Sequence, residues 1–353
     1  MKAEPAAAVL VEAARLTAFT TELFAASGVR AEWARLMGES LVAANLRGVD
    51  SHGVQLAPFY LAQLADGRVD AGAAGRVASE AGAVLSYDGQ NGLGQVVASH
   101  AARHAVRLAG AHGLGMVVAR ESNHFGAAAW WAQTISAAGM LGVVMCNASS
   151  IVAPWQAREP VWGTNPICVS VPGGGWLLDM ATTTVAMGKI YKAGLNQQEE
   201  IPAGWAMDAE GVPTTSTQAA LRGLLMPLGG YKGSGLAMMV EILCGVLAGG
   251  AMGTELGGLR VEDRPFRVSQ FFLAIDIERL MPRAEFDERM RHLIEMVKSR
   301  QAAPGFGEVL VAGEPEWRAE AQRRRDGVPV DQPLMDTLRE WAARLGVQAN
   351  VRP

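Results

Sequence analysis

A layered α/β fold with a smaller helical unit at its N-terminus is the class this 353-residue chain predicts. Three observations point there. Apolar residues recur at roughly helical spacing through the first 65 residues. Between residues 83 and 147, short apolar runs alternate with helix-patterned stretches in β-α-β-α-β order. Half of the residues are hydrophobic, yet only 6% are aromatic and 41 are glycine, which suits helices packed on a sheet better than an all-β sandwich.

In chain order, residues 6–26 and 31–46 predict two helices, the first carrying Leu10, Ala14, Phe19 and Leu23 on one side. The polar stretch "RGVDSHGVQLAPFY" follows, then a short helix over 56–65 that "DGRVDAG" ends. "AVLSYDG" reads as a strand into a turn and "GLGQVVASHAARHAVRLAGAHG" as a helix. "GMVVARES" reads as a strand, "FGAAAWWAQTISAAG" as a helix and "LGVVMCN" as a strand. Such alternation predicts parallel strands, with ligands at their carboxyl ends. The strand tips are Glu121-Ser122-Asn123-His124 and Asn147-Ala148-Ser149. Further strands are expected at 166–171 and 176–180, a helix over 233–248, and a strand at "SQFFLAIDI". The charged helix "RAEFDERMRHLIEMVKSR" comes next, and the last helix, "LMDTLREWAARLG", is expected to pack back on the first two. This divides the chain into a helical part, 1–75, joined by the C-terminal helix at about 330–353, and an α/β part, 76–329.

Bulk properties exclude several classes. A net charge of −4 gives no electrostatic reason to expect nucleic acid or an anionic membrane surface. Cys146, Cys168 and Cys244 are odd in number, far apart and in apolar contexts, so they read as core thiols of a reducing compartment. Glu4 and Glu12 interrupt the opening stretch, which reads as a helix and not a signal peptide. Glu241 and several glycines break the apolar run Leu236 to Met252, a buried helix and not a membrane span. A soluble cytoplasmic protein is expected.

The chemistry-bearing residues are few. No G-x-G-x-x-G or Walker pattern occurs, so a standard Rossmann or P-loop site is not supported. "GGYKGSG" places Lys232 at a helix start, where free N–H groups favour a phosphate; the residues alone leave this reading and that of an exposed lysine equally open. His100 and His104 stand four apart, but no third ligand is suitably spaced and Arg103 and Arg107 share the helix, so no metal centre is expected. His124 follows a strand tip beside Asn123 and Ser122, a placement that favours function for a loop histidine. His52 lies between Ser51 and Gly53. Adjacent Asp50, Ser51 and His52 do not make a hydrolase triad, which needs spatial convergence, and no G-x-S-x-G elbow occurs. His52 therefore fits a general acid/base. Asp179 ends an apolar strand, where it can cap the next segment or orient a histidine or a cofactor amide.

Six ordered segments carry a family resemblance: "LRGVDSHGV", "SNHFGAAAWWA", "VWGTNPICVSVP", "LLDMATTTVAMGKI", "GGYKGSGLAMMVEILCGVLAGG" and "VLVAGEPE". Over about residues 10–345 the chain resembles the type II malate/L-lactate dehydrogenase family, which includes sulfolactate, ureidoglycolate and diketogulonate dehydrogenases and cyclic imino-acid reductases. The resemblance implies a non-Rossmann α/β fold that binds NAD or NADP, a small-molecule substrate and a homodimer. It makes His52 the proton donor, with Ser51 beside it and His124 facing the same pocket. In some relatives this second position is the assigned acid/base. Leu178, Asp179, Met180, Ala181 and Thr182 would line the nicotinamide side. Lys232 and Gly233 would hold the ribose or phosphate region, Gly313 and Glu314 would close over it, and Tyr60 would reach the substrate.

Three departures bear on the substrate. Leu56 stands where the family usually has a carboxylate-gripping arginine, and leucine cannot supply a bidentate, charge-assisted contact. "APWQARE" lacks a Gly-Gly pair that many relatives carry, and Ser149 replaces a frequent acidic residue. Arg47 is then either a substitute carboxylate anchor or a structural arginine. The expected reaction is hydride transfer between nicotinamide and C2 of a 2-oxo or 2-hydroxy acid. The alternative is reduction of a cyclic imino acid or of a larger, less charged ketone or imine.

Overall fold

The computed structural model describes residues 8–258 and 264–348. The chain begins with a short strand, β1 (Ala8–Val11), then α1 (Ala13–Ala26) and α2 (Ala31–Leu46). Single 3-10 turns at Asp50–His52 and Val54–Leu56 lead into α3 (Ala57–Ala65). The helix expected over 6–26 thus starts later, and its first turns, as far as they lie in the described residues, are strand. The reason is long-range: Ala8–Val11 pairs antiparallel with the strand at 328–331, a partner that local periodicity does not reveal.

The central sheet follows. It takes β2 (Arg76–Ala81), β3 (Val84–Asp88), α4 (Gly94–His112), β4 (Leu114–Ser122), α5 (Ala128–Ala137), β5 (Met140–Cys146), β6 (Ile167–Ser170) and β7 (Leu177–Met180) in order. A smaller unit contains α6 (Met187–Leu195), β8 (Ala206–Met207), β9 (Pro213–Thr214), α7 (Thr217–Arg222) and β10 (Leu224–Leu225). Then come α8 (Tyr231–Glu241), a π-helical turn at Ile242–Val246, β11 (Val268–Asp276), α9 (Arg283–Lys298), α10 (Glu314–Asp326), β12 (Val328–Asp331) and α11 (Gln332–Leu345).

The sheet order is β2-β3-β4-β11-β5-β6-β7. Parallel pairing was the expectation, and it holds only between β3 and β4. β11 enters between β4 and β5 and runs antiparallel to both, and β6 and β7 extend the edge antiparallel. An α/β alternation fixes the direction of successive strands but not whether a later strand intervenes.

Both faces of the sheet are covered. Val117 and Ala119 point to α4 and α5 and join Trp131, Ile135 and Phe272 in one core. Val118, between them, turns the other way and meets Val240 and Cys244 with Phe271 and Met145. That alternation is the strand period of two. A separate core joins Leu16, Phe19, Leu23, Trp33, Met37 and Leu41 to Met335 and Leu338 of α11. The helix expected over 233–248 is split: after Glu241 the hydrogen bonding widens to a π turn. No helix among the described residues is long and apolar enough to cross a membrane.

Candidate active site

The turn carrying His52 is pinned from two sides. Asn45, in the last turn of α2, donates Nδ2–H to Asp50 Oδ1 at 2.7 Å and accepts the Val54 N–H at 2.8 Å. Gly53 makes this possible, since a Cβ there would stand 2.2 Å from Asn45 Oδ1. From α10, Arg323 grips Asp50 with Nη1 at 2.6 Å and Nη2 at 2.9 Å. Asp50 is therefore committed to Asn45 and Arg323 and orients no histidine, in keeping with the sequence argument against a triad of neighbours. Ser51 Oγ lies 2.9 Å from His52 Nδ1. The start of α6 approaches from the opposite side, with Gly188 close enough that a Cβ would be 3.6 Å from Ser51 Cβ.

His124 comes from the tip of β4. Gln270, on the inserted β11, donates to Ser122 Oγ at 2.8 Å and steadies that tip. Asn123 donates to Gly92 O at 2.8 Å. Gly94 opens α4 directly against this backbone, and a Cβ there would meet Asn123 O at 2.2 Å and His124 O at 2.3 Å. The His52 and His124 rings then stack, with centroids 5.7 Å apart and planes at 25°. Phe266 stacks on the far side of His124 at 6.4 Å. Tyr60 Oη is 2.5 Å from His124 Nδ1, and the Gly126 N–H donates to the same nitrogen at 3.2 Å. Burial pulls His52 below the ordinary histidine range. It pushes His124 down to about 3, helped by the neighbouring His52.

Asp179 sits on β7 and accepts the Ala129 N–H of α5 at 2.9 Å through Oδ2. Desolvation by the surrounding protein raises its pKa to about 6, opposed by that hydrogen bond and by the positive charge of Arg47. The residue is exposed, so the carboxyl exchanges protons freely with solvent. Arg47 is buried at the end of α2, and its Nε and Nη1 have no hydrogen-bond partner among the described residues.

The cofactor candidates fall into two groups. Leu178, Asp179, Met180, Ala181 and Thr182 form the end of β7 and the bend after it. Thr182 O accepts the Leu228 N–H at 2.9 Å, which sets this segment against the turn that starts α8. Gly233 lies in the same junction, where a Cβ would be 2.6 Å from Thr182 O. The helix has no side-chain cap, and Lys232 is exposed in its first turn beside the Tyr231 ring. An uncapped helix start with an adjacent ammonium, next to a strand end, suits an anionic phosphate, although the Gly233 N–H is already given to Leu228 O at 2.7 Å. These residues fit NAD(P). Gly313 lies at the other end of β7, where Leu177 N–H donates to Ala312 O at 3.2 Å. Glu314 is already engaged: it accepts the Val311 N–H at 2.8 Å and pairs with Lys298.

The substrate candidates are less uniform. Leu56 is buried in the N-terminal core with Val54, Ala57 and Leu61, not displayed in the cleft. Its place among apolar neighbours follows from the 3-10 turn that directs Val54 and Leu56 inward. The Tyr60 hydroxyl is spent on His124. Ser149 is half-buried in the loop after β5. Sequence reasoning missed Asn45, Arg323, Gln270 and Gly94, which position the two histidines. Only the glycine had a local signal, as the residue opening a helix.

Comparison with known proteins adds the family. The profile of the malate/L-lactate dehydrogenase family matches residues 11–339. The chain is 36% identical to a malate dehydrogenase of Pyrococcus horikoshii over 346 residues, 95% of each chain. Its structure superposes on the sulfolactate dehydrogenase of Methanocaldococcus jannaschii with a TM-score of 0.91 at 33% identity, covering 96% of this chain and 98% of that one. It also superposes on a delta1-piperideine-2-carboxylate reductase of Pseudomonas syringae pvar. tomato, with a TM-score of 0.83 at 29% identity over 95% and 100% of the two chains.

Proposed function

Because the chain belongs to the malate/L-lactate dehydrogenase family, we propose that it interconverts a 2-oxo acid and its 2-hydroxy acid with His52 as the acid/base. It is an NAD(P)-dependent oxidoreductase. The observation that carries the reading is the stacked His52–His124 pair, with Ser51 Oγ on one His52 nitrogen. His52 Nδ1–H donating to Ser51 Oγ leaves Nε2 as the nitrogen that takes up or releases a proton. NAD(P)H, when bound, supplies the hydride that reaches the substrate's C2. The chain supplies the proton on the oxygen, a fixed orientation and a wall against water. A neutral His52, favoured by burial, is the base that oxidation of the hydroxy acid needs.

Lys232 with the start of α8 is assigned to the cofactor's phosphate or ribose, and the segment Leu178–Thr182 to the nicotinamide side. Asp179, anchored through Oδ2 on the Ala129 N–H, is assigned to orienting the cofactor amide. Two copies of the chain form the working enzyme. Tyr231, Met238, Ile242 and Val246 leave an apolar stripe exposed along α8 and the π turn, which a second copy would cover. The buried free thiols agree with a cytoplasmic location.

A second reading is reduction of a cyclic imino acid, supported by the likeness to the delta1-piperideine-2-carboxylate reductase. The deciding measurement is NADH and NADPH oxidation with oxaloacetate, pyruvate, sulfopyruvate and Δ1-piperideine-2-carboxylate. Turnover of oxaloacetate or sulfopyruvate, lost in His52→Gln, supports the first reading. Turnover confined to the imine selects the second. No oxidation with any of the four would remove both.

A further inference from the structure

We propose that Tyr60 is a positioning residue that fixes His124 as a neutral Nε2–H hydrogen-bond donor, leaving His52 alone to carry the proton in turnover. The second half of this statement rests on the dehydrogenase reading; the first does not.

The argument is one of donors and acceptors. A backbone amide can only donate, so the Gly126 N–H at 3.2 Å requires a lone pair on His124 Nδ1. The Tyr60 hydroxyl, 2.5 Å from that nitrogen, then donates to it as well. Two donors converge on Nδ1, so the ring's single proton must sit on Nε2. Making the imidazolium would put an N–H against two others. Tyr60 is itself held in the donor form, because it is 4% exposed and burial raises its pKa.

The groups facing the pair point the same way. His52 approaches from its 3-10 turn and would repel a second positive ring. Tyr60 comes from α3, and Phe266 covers the remaining face without a charge. The Cys146 thiol of β5 acts on Tyr60 and is kept neutral by burial. The carboxylates of Asp179 and Glu241 act on Cys146, and no carboxylate acts directly on His124. Gln95 is buried beside the Tyr60 hydroxyl and, like the Gly126 N–H, acts on it as a neutral hydrogen-bonding group.

In the reduction direction, bound NAD(P)H would supply the hydride to C2, and His52 would give its Nε2 proton to the carbonyl oxygen. His124 Nε2–H donates a hydrogen bond to an oxygen of the substrate and keeps its proton. One histidine exchanges a proton with solvent per turnover and the other does not.

The test is 15N NMR of the protein with labelled histidines, without substrate, from pH 5 to 8. His124 should show one protonated and one bare nitrogen throughout. Tyr60→Phe should give His124 a mixture of tautomers. A His124 that titrates near neutrality, or a Tyr60→Phe spectrum unchanged at His124, overturns the lock. Kinetics supply the second readout, kcat/KM for oxaloacetate against pH. His124→Gln, which retains a donor, should lose roughly 10- to 100-fold yet keep the parent's ionisation limb; His52→Gln should lose the limb. The reverse pattern would assign the proton to His124. Absence of oxaloacetate turnover in the parent would count against the assignment to His52 and the dehydrogenase reading, while the NMR result would judge the tautomer lock separately.

Discussion

Arg323, near the end of α10, closes a two-pronged hydrogen bond on the carboxylate of Asp50, two residues before His52. The contact spans 273 residues of sequence. It ties the proposed acid/base turn to a helix with no buried residue of its own. A side chain that reaches so far to hold a turn sets the angle at which His52 enters the cleft. A displacement of about 1 Å in a catalytic group can cost on the order of 100-fold in rate.

Arg323→Ala should therefore lower kcat by about tenfold or more while KM for NADH or NADPH stays near the parent's, because the start of α8 is untouched. The stability cost should be small, about 1 kcal/mol, since the Asp50 carboxylate is 45% exposed and solvent screens the pair. Arg323→Lys keeps the charge but not the fork, so it should fall between. Steady-state kinetics with a thermal melt check this. Parental kcat in Arg323→Ala would mean that Asn45 alone holds the turn.

Position 56 invites a tempting repair: restoring the family's arginine to improve use of small 2-oxo acids. The structure reverses that expectation. Leu56 is 7% exposed and packs in the core of the N-terminal helices. Leu56→Arg would place a guanidinium among apolar side chains and should cost about 3 kcal/mol or more. The melting temperature should drop, with no gain in kcat/KM for oxaloacetate. A variant as stable as the parent and faster with 2-oxo acids would put position 56 on the cleft wall after all.

Much of this was legible because the signals were local. The helices at 31–46 and 94–112 followed from apolar spacing, and His52 and His124 stood out by their glycine-flanked turn and strand tip. What failed was whatever depends on a distant partner. β1 is a strand only because Val328–Asp331 lies beside it. β11 divides β4 from β5, so a locally correct alternation gave the wrong neighbours. α10 went unseen because "EPEWRAEAQRRRD" has no apolar stripe, though it supplies Arg323. The site's supports were hidden for the same reason: Asn45, Gln270 and Arg323 act on residues far from their own segments.

His124 should leave a mark on stability against pH. Its pKa is pushed down to about 3 in the folded chain and returns to about 6.5 on unfolding. Above pH 6.5 neither state binds the proton, and the folded state bears no penalty. As pH falls from 6.5 toward 3, the unfolded chain takes a proton that the folded chain refuses, so stability declines. The slope for one group cannot exceed about 1.4 kcal/mol per pH unit, and solvent in the cleft reduces it. His124→Gln removes this loss, so its denaturation free energy should fall less steeply than the parent's between pH 7 and 5. Parallel curves would show that folded His124 titrates normally.

Arg47 and Asp179 make the opposite case. Asp179 is raised to about 6, and the buried Arg47 charge holds it from rising further. For an acid with a raised folded pKa, the stabilising contribution is fully present below the unfolded value, about 3.9. It is lost as pH climbs through the folded value. Arg47→Met keeps an apolar stem in the core and removes two guanidinium nitrogens that lack partners among the described residues, so the fold should survive. Asp179 should then titrate above 6, and the melting temperature should keep falling between pH 6 and 8, where the parent's has levelled. In an Asp179→Asn background the same arginine change should leave no such difference in slope. If Arg47→Met and the parent run parallel in both backgrounds, the guanidinium does not act on Asp179. Its two bare nitrogens would then point to a ligand anion, which sulfopyruvate protection of the parent but not of Arg47→Met against thermal unfolding would reveal.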